Sequence, residues 1–156
     1  MKVARLTISD RASAGIYEDK SGPEIERVFS EIWEEPCNMI TRIVPDERQD
    51  ISHALALLAD QERCDLILTT GGTGPAARDV TPEATRDVIE KELPGFGETQ
   101  RSLSFRSVPT AILSRATAGV RGRSLIINLP GNPKAIVECL PPIVPAIREA
   151  LRHLAE

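Results

Sequence analysis

The residues most able to do chemistry in this chain are a run of glycines and two aspartates. Thr69-Thr70-Gly71-Gly72-Thr73-Gly74-Pro75 follows the apolar stretch Leu66-Ile67-Leu68 and leads through Arg78-Asp79 to Thr81-Pro82. Successive backbone N–H groups in such a loop form a nest suited to a phosphate or another oxyanion. Asp46 stands after a second apolar run, at Val44-Pro45-Asp46-Glu47. Each aspartate also has a purely structural reading. Asp46 with Gln49 three positions on resembles a capping box, and a capping aspartate is worth about 1 kcal/mol without any chemistry. Asp79 can be a turn residue ahead of a helix capped at Thr81. If both carboxylates face one cleft beside an anion loop, a shared hard cation such as Mg²⁺ accounts for the pair.

Other motifs are weaker. Gly72-Thr73-Gly74-Pro75-Ala76-Ala77 satisfies a dinucleotide-binding G-x-G-x-x-A pattern, but it follows the third expected strand and Pro75 delays the helix until Thr81. A Walker A loop is excluded because no Gly-Lys-Ser/Thr closes the segment. His53 and His153 have no ligand-spaced partner. Cys37, Cys64 and Cys139 are odd in number and form no C-x-x-C pair, which argues against a disulfide framework or zinc knuckle and for packing roles. Lys134 reads equally as a phosphate neutraliser and as an exposed lysine.

The elements that must position these residues alternate between strand and helix patterns. Val3 to Ser9, Asn38 to Val44, Asp65 to Thr70 and Leu125 to Leu129 read as strands, the last entered by a hairpin from Ala118. Ser21-Gly22-Pro23 opens a helix with Ile25, Val28, Phe29 and Ile32 on one face. A second helix is expected to run to about Glu62 with Ile51, Ala54, Leu55 and Leu58 inward. Thr81-Pro82 starts a third, ended by Leu93-Pro94-Gly95, and a shorter one runs from Gly97 to Phe105. Ala111 to Ser114 is helix or turn. Pro133 starts another helix, which Pro141-Pro142 is expected to break before a closing helix lined by Ile143, Ile147, Leu151 and Leu154. The order implies a three-layer α/β/α sandwich with a mostly parallel sheet, in one domain spanning residues 1–156. In such folds ligands sit beyond the carboxyl ends of the strands. The loops after Ser9, Val44, Thr70 and Leu129 are therefore expected to converge, bringing together Asp10, Arg11, Ser13, Asp46, Arg78, Asp79 and Asn132.

Composition narrows the function classes. A net charge of −4 opposes non-specific binding to nucleic acid or anionic membrane, and 3% aromatic residues leave little for base-stacking platforms. No apolar run approaches the roughly 20 residues of a membrane span, and the amino-terminus lacks the order of a secretory signal. The expected location is the cytoplasm, with neither nucleic acid nor membrane as partner.

Taken together, several of these stretches resemble one family. Ser9-Asp10-Arg11-Ala12-Ser13-Ala14-Gly15, Val44-Pro45-Asp46-Glu47, Thr69 to Pro75 with Arg78-Asp79-Val80-Thr81-Pro82-Glu83-Ala84-Thr85, Pro94-Gly95-Phe96-Gly97, Leu113-Ser114-Arg115 and Leu129-Pro130-Gly131-Asn132-Pro133 are similar to motifs of the molybdopterin adenylyltransferases. These are the MogA proteins of bacteria and the G domains of gephyrin and its plant relative. The resemblance covers essentially the whole chain. It implies an enzyme of molybdenum cofactor biosynthesis, usually a homotrimer, that uses ATP and Mg²⁺ to adenylylate molybdopterin, releasing pyrophosphate. The product would pass to a molybdate-inserting enzyme, with which transient contact is expected. Asp46 and Asp79 match the family's two essential aspartates and become the expected catalytic and metal-binding pair. Ser9, Asp10, Ser13, Gly71, Gly72, Thr73, Gly74, Pro130, Gly131 and Asn132 are the expected substrate-binding set, with Ser104 and Ser114 matching serines of pterin handling. Ala76-Ala77 replaces bulkier or more polar residues found in many relatives, and the chain stops at Glu156 without the extension of some bacterial members. A non-catalytic molybdopterin carrier on the same fold is the alternative.

Overall fold

The computed structural model describes residues 1–156. Its six-stranded sheet has the order β2-β1-β3-β6-β5-β4, from β1 (Lys2–Ile8), β2 (Asn38–Val44), β3 (Leu66–Thr70), β4 (Lys91–Glu92), β5 (Ala118–Arg121) and β6 (Ser124–Leu129). β2, β1, β3 and β6 are parallel, while β5 and β4 add an antiparallel edge. Central β3 is buried at every residue, which is why Leu66-Ile67-Leu68 carries no polar alternation. Leu66 and Leu68 point into one apolar cluster with Val3, Phe29, Ile127, Leu140 and Ile147, and Ile67 points into the other with Leu6, Leu55, Ala84 and Ile126. This alternation sets the three layers. α2 (Ser21–Ile32) and α6 (Pro133–Ala155) cover the first face, and α3 (Arg48–Asp60) and α4 (Thr81–Val88) the second. Each fully buried side chain such as Phe29 or Leu55 contributes about 1.5–3 kcal/mol.

One polar residue sits inside the sheet. Asn128 is fully buried, and its amide donates to Thr69 Oγ1 at 3.1 Å and Thr85 Oγ1 at 2.9 Å while its Oδ1 accepts from the Thr117 N–H at 3.2 Å. With its side chain satisfied, it ties β3, β6 and α4 together without the cost of an orphaned buried group.

Four local expectations are corrected. The stretch after β1 is a single helical turn, α1 (Asp10–Ser13), capped by Ser9, whose hydroxyl accepts from the Ala12 N–H at 3.1 Å. α4 ends at Val88, not at Leu93-Pro94-Gly95, because Lys91–Glu92 pairs with β5. Its first turn is not capped by Thr81, whose hydroxyl donates to the Gly71 carbonyl instead, at 2.8 Å. Pro141-Pro142 does not break the last helix. α6 runs unbroken with Pro141, Pro142 and Pro145 inside it. Its apolar stripe of Ile136, Leu140, Ile143, Val144 and Ile147 is buried, whereas Pro142 and Pro145 are exposed, where carbonyls left without an N–H partner reach water. The remaining segments are α5 (Gly95–Phe105) and a 3-10 turn over Pro109–Leu113.

Candidate functional site

Because β1, β2, β3 and β6 are parallel, their carboxyl ends lie along one edge, and the four loops that leave them are in contact. Asp10 and Asp46 clasp each other: the Asp10 N–H donates to Asp46 Oδ2 at 2.9 Å, and the Asp46 N–H donates to Asp10 Oδ1 at 3.0 Å. Thr70 Oγ1 donates to the Pro130 carbonyl at 2.7 Å, fastening the glycine loop to the turn after β6. An added Cβ on Gly131 would stand 3.4 Å from Gly71 Cα, so these two turns are packed backbone on backbone.

The clasp corrects the capping reading of Asp46. α3 starts at Arg48, its N-cap position is Glu47, and no side chain caps it. The Asp46 carboxylate is turned towards α1 and the glycine loop, with Oδ1 3.2 Å from the place a Cβ on Gly72 would occupy. Asp79 faces the same loop. Its Oδ2 accepts from the Ala76 N–H at 3.1 Å and lies 2.8 Å from the Cβ position of Gly74. Gly71 and Gly72 hold φ values of +97° and +67°, left-handed conformations that a Cβ would strain. Both carboxylates therefore lie against the Gly71 to Gly74 turn, Asp46 near Gly72 and Asp79 near Gly74.

The surroundings of Asp46 disfavour its ionised form, first through burial. Burial pushes its carboxyl above the usual aspartate range, and the negative charges of Asp10 and Asp79 push the same way, opposed by the Asp10 N–H and by Arg78. Asp10 is held below its usual range, chiefly by its hydrogen bonds from Arg78. Each of Asp46 and Asp79 gives one oxygen to a backbone N–H, while its second oxygen accepts no hydrogen bond from the protein. No three His, Cys, Asp or Glu side chains converge anywhere, so a cation here would have to take ligands from substrate and water as well.

Past the Pro130 turn that Thr70 fastens opens a cleft of about 380 Å³, lined by Gln100, Ser104, Ser114, Pro130, Asn132 and Lys134 among others, but by neither aspartate and by no residue of Gly71 to Gly74. Ser104 and Ser114 thus share one wall system with Pro130 and Asn132, although they come from α5 and the segment after the 3-10 turn. Asn132 uses its Oδ1 to cap α6, accepting from the Lys134 N–H at 3.0 Å. Ser9 and Ser13 are engaged locally: Ser9 caps α1, and the exposed Ser13 hydroxyl donates to the Asp10 carbonyl at 2.9 Å. Thr73 is buried and its carbonyl accepts from the Arg115 N–H at 2.8 Å. His53 and His153 are exposed, as is Cys37, whereas Cys64 and Cys139 are buried in the core.

Strand-end reasoning passed over Arg115, which lies outside the four loops. Its guanidinium donates to the Gly74 carbonyl at 2.9 Å and the Asp79 carbonyl at 2.7 Å and pairs with Glu83. One side chain thereby fixes both ends of the Gly74 to Asp79 stretch against α4. The only signal for it was its place at the end of Leu113-Ser114-Arg115, a stretch with no periodicity of its own.

This architecture has known counterparts. The family model described as "Probable molybdopterin binding domain" matches residues 4–149. A Helicobacter pylori protein named molybdopterin adenylyltransferase is 58% identical over 142 residues, covering 91% of this chain and 81% of that protein. The Escherichia coli K12 protein of the same name is 49% identical over 140 residues, 90% of this chain and 72% of the relative. Among solved structures, the molybdopterin biosynthesis enzyme MoaB of Thermus thermophilus superposes with a TM-score of 0.89 at 44% identity, covering 98% of this chain and 95% of that one. Matched over nearly its full length by the family model and by relatives at about half identity, the chain belongs to the molybdopterin-binding family that contains the molybdopterin adenylyltransferases.

Proposed function

We propose that this chain, as a single domain, is a molybdopterin adenylyltransferase acting in molybdenum cofactor biosynthesis, with ATP as the second substrate. The observation that carries the reading is that the Asp46 and Asp79 carboxylates lie against Gly72 and Gly74 of one glycine loop, which is fastened to the Pro130 turn that also lines a cleft with Ser104, Ser114 and Asn132. A phosphate oxygen of molybdopterin forms a bond to the α-phosphorus of ATP. The bond from that phosphorus to the bridging oxygen of the β-phosphate breaks, and pyrophosphate departs with the electron pair. Such a reaction needs two phosphates held in line and charge neutralised, not a nucleophilic side chain. The glycine loop supplies N–H donors for the phosphates, and the cleft receives the pterin, with Ser104 and Ser114 placed to hydrogen-bond it. Asp46 and Asp79 fit Mg²⁺, since each keeps an oxygen free of protein donors and a site of two carboxylates completed by water and phosphate suits that ion. When bound, Mg²⁺ supplies charge neutralisation on the polyphosphate.

Finer features belong to the same proposal: assembly as a homotrimer, a cytoplasmic setting, and transfer of product to a molybdate-inserting enzyme. No helix is long and apolar enough to cross a membrane, which accords with that setting.

The test is to incubate the protein with molybdopterin, ATP and Mg²⁺ and to measure adenylylated product and pyrophosphate. Product in equal amount to pyrophosphate is expected. Asp46→Asn keeps an acceptor for the Asp10 N–H and does not touch the α3 start, so it is expected to stay folded while turnover falls at least about 100-fold, the scale on which lost electrostatic stabilisation is felt. Tight pterin binding without any product would overturn the enzyme reading in favour of a carrier.

A further inference from the structure

The carboxylates of the site are paired with one basic side chain, and that side chain is shared. Arg78 donates Nε and Nη2 to Asp10 at 3.0 and 2.9 Å, while Nη1 pairs with Glu47 at 2.8 Å. No other basic side chain pairs with Asp10, Asp46, Glu47 or Asp79. The two arms differ in setting. Asp10 is locked in the backbone clasp with Asp46, so the Arg78 to Asp10 arm is anchored in the fold. Glu47 has no other partner, and its side chain and that of Arg78 are each 55% exposed. An exposed pair of that kind is weak, whereas a guanidinium to phosphate contact is charge-assisted and can be bidentate. Arg78 also keeps one N–H unused on each of Nη1 and Nη2, and it immediately precedes Asp79, at the end of the turn that receives the anion.

We infer that Arg78 is a phosphate-binding residue that trades Glu47 for a phosphoryl oxygen of the nucleotide while keeping its grip on Asp10. Glu47 is then a resident competitor. It holds the guanidinium in place when the site is empty and weakens polyphosphate binding by the strength of one surface ion pair. This inference rests on the reading that a polyphosphate occupies the glycine loop, and it names the side chain that answers to it.

Binding is measured by titration calorimetry with two probes, inorganic tripolyphosphate and ATP with Mg²⁺. Glu47→Gln is expected to tighten both by about threefold, the weight of an exposed ion pair, and Arg78→Gln to weaken both by about tenfold or more, the weight of a charge-assisted contact. In the Arg78→Gln background Glu47→Gln is expected to give no gain. A gain that persists there would show that Glu47 acts through the general field alone, and wild-type affinity in Arg78→Gln would remove Arg78 from the phosphate; either overturns the inference. Arg78→Lys, which keeps the charge and loses the fork, is expected to fall between the two and serves if Arg78→Gln melts early. Adenylyl product from wild-type protein with unaltered affinities in the variants sinks the role of Arg78 alone. The expected pattern with tripolyphosphate but no product sinks adenylyl transfer alone.

Discussion

Gly71 and Gly131 touch each other at the mouth of the site, yet they answer different constraints. Gly71 has a φ of +97°, and a Cβ there would run into the Ile8 carbonyl oxygen, which is backbone of the central sheet and cannot move aside. Gly131 is not in the left-handed region, and a Cβ there would meet Gly71 Cα and N at ordinary van der Waals distances of 3.4 and 3.8 Å. Gly71→Ala is therefore expected to cost about 2 kcal/mol or more, while Gly131→Ala stays within about 0.5 kcal/mol of the parent. Urea midpoints of the two variants check the contrast; equal losses would show that the loop, not the Ile8 contact, limits the substitution. At this scale the glycine nest and Asp79 are readable together, since they lie within nine residues of one another, whereas Asp46 stands 25 residues before Gly71 and is picked out only by its place after an apolar run. The job of Asp46 was not legible. Whether a carboxylate caps its own helix or clasps a loop 36 residues away depends on what the fold brings beside it, and local spacing holds no information on that.

Helix and strand order was readable because each element carries its own periodicity: Ile25, Val28 and Phe29 on α2, and the unbroken Leu66-Ile67-Leu68 of β3. The failures came where local propensity met tertiary packing. Pro141, Pro142 and Pro145 would each remove an intrahelical bond, but the six buried apolar residues of α6, Cys139 among them, outweigh them. The two-residue strand β4 is too short to leave a pattern; only its pairing with Gly119 and Val120 defines it. Since the core and not the prolines holds α6 together, replacing an exposed proline should stabilise the helix. Pro145→Ala restores an N–H for the Pro141 carbonyl and is expected to raise stability by about 2 kcal/mol, the helix propensity gain of about 3 kcal/mol less the lost restriction of the unfolded chain. Thermal and urea unfolding would show it. A loss of stability would mean that the helix is bent at this point and that the sheet is fitted to the bend.

For the whole molecule, pH acts through the pairs that join distant segments. Arg115 binds Glu83 and, through Gly74 and Asp79, the glycine loop, so one guanidinium joins the segment after the 3-10 turn to α4 and to the loop that follows β3. Its hydrogen bonds are the first cause that holds the Glu83 carboxyl below the ordinary value of 4.5. The sign follows from that direction: with the folded value lower than the unfolded one, the pair's stabilisation is fully present above about pH 4.5 and is lost as the pH falls through the lowered folded value. Glu83→Gln is thus expected to lower stability at pH 7 and to make the acid limb shallower, with parent and variant converging at low pH. Parallel acid limbs in urea unfolding across pH 2–7, a range set by the carboxylate values, would assign acid unfolding to other groups.

The position of β3 has a kinetic consequence. Leu66 pairs with Val3 on one side and Leu125 on the other, partners separated from it by about 60 residues in each direction. Long loops must close before either pairing forms, which places this chain among slow, non-local folders. The glycine loop takes its shape from contacts with Ile8, Pro130 and Thr81, on three separate segments. The shape of the loop, and with it the anion binding proposed for it, is therefore a late event in refolding that arrives with the central strand, and a nascent chain that has not yet released β6 carries Asp10, Asp46 and Asp79 without the arrangement that brings them together.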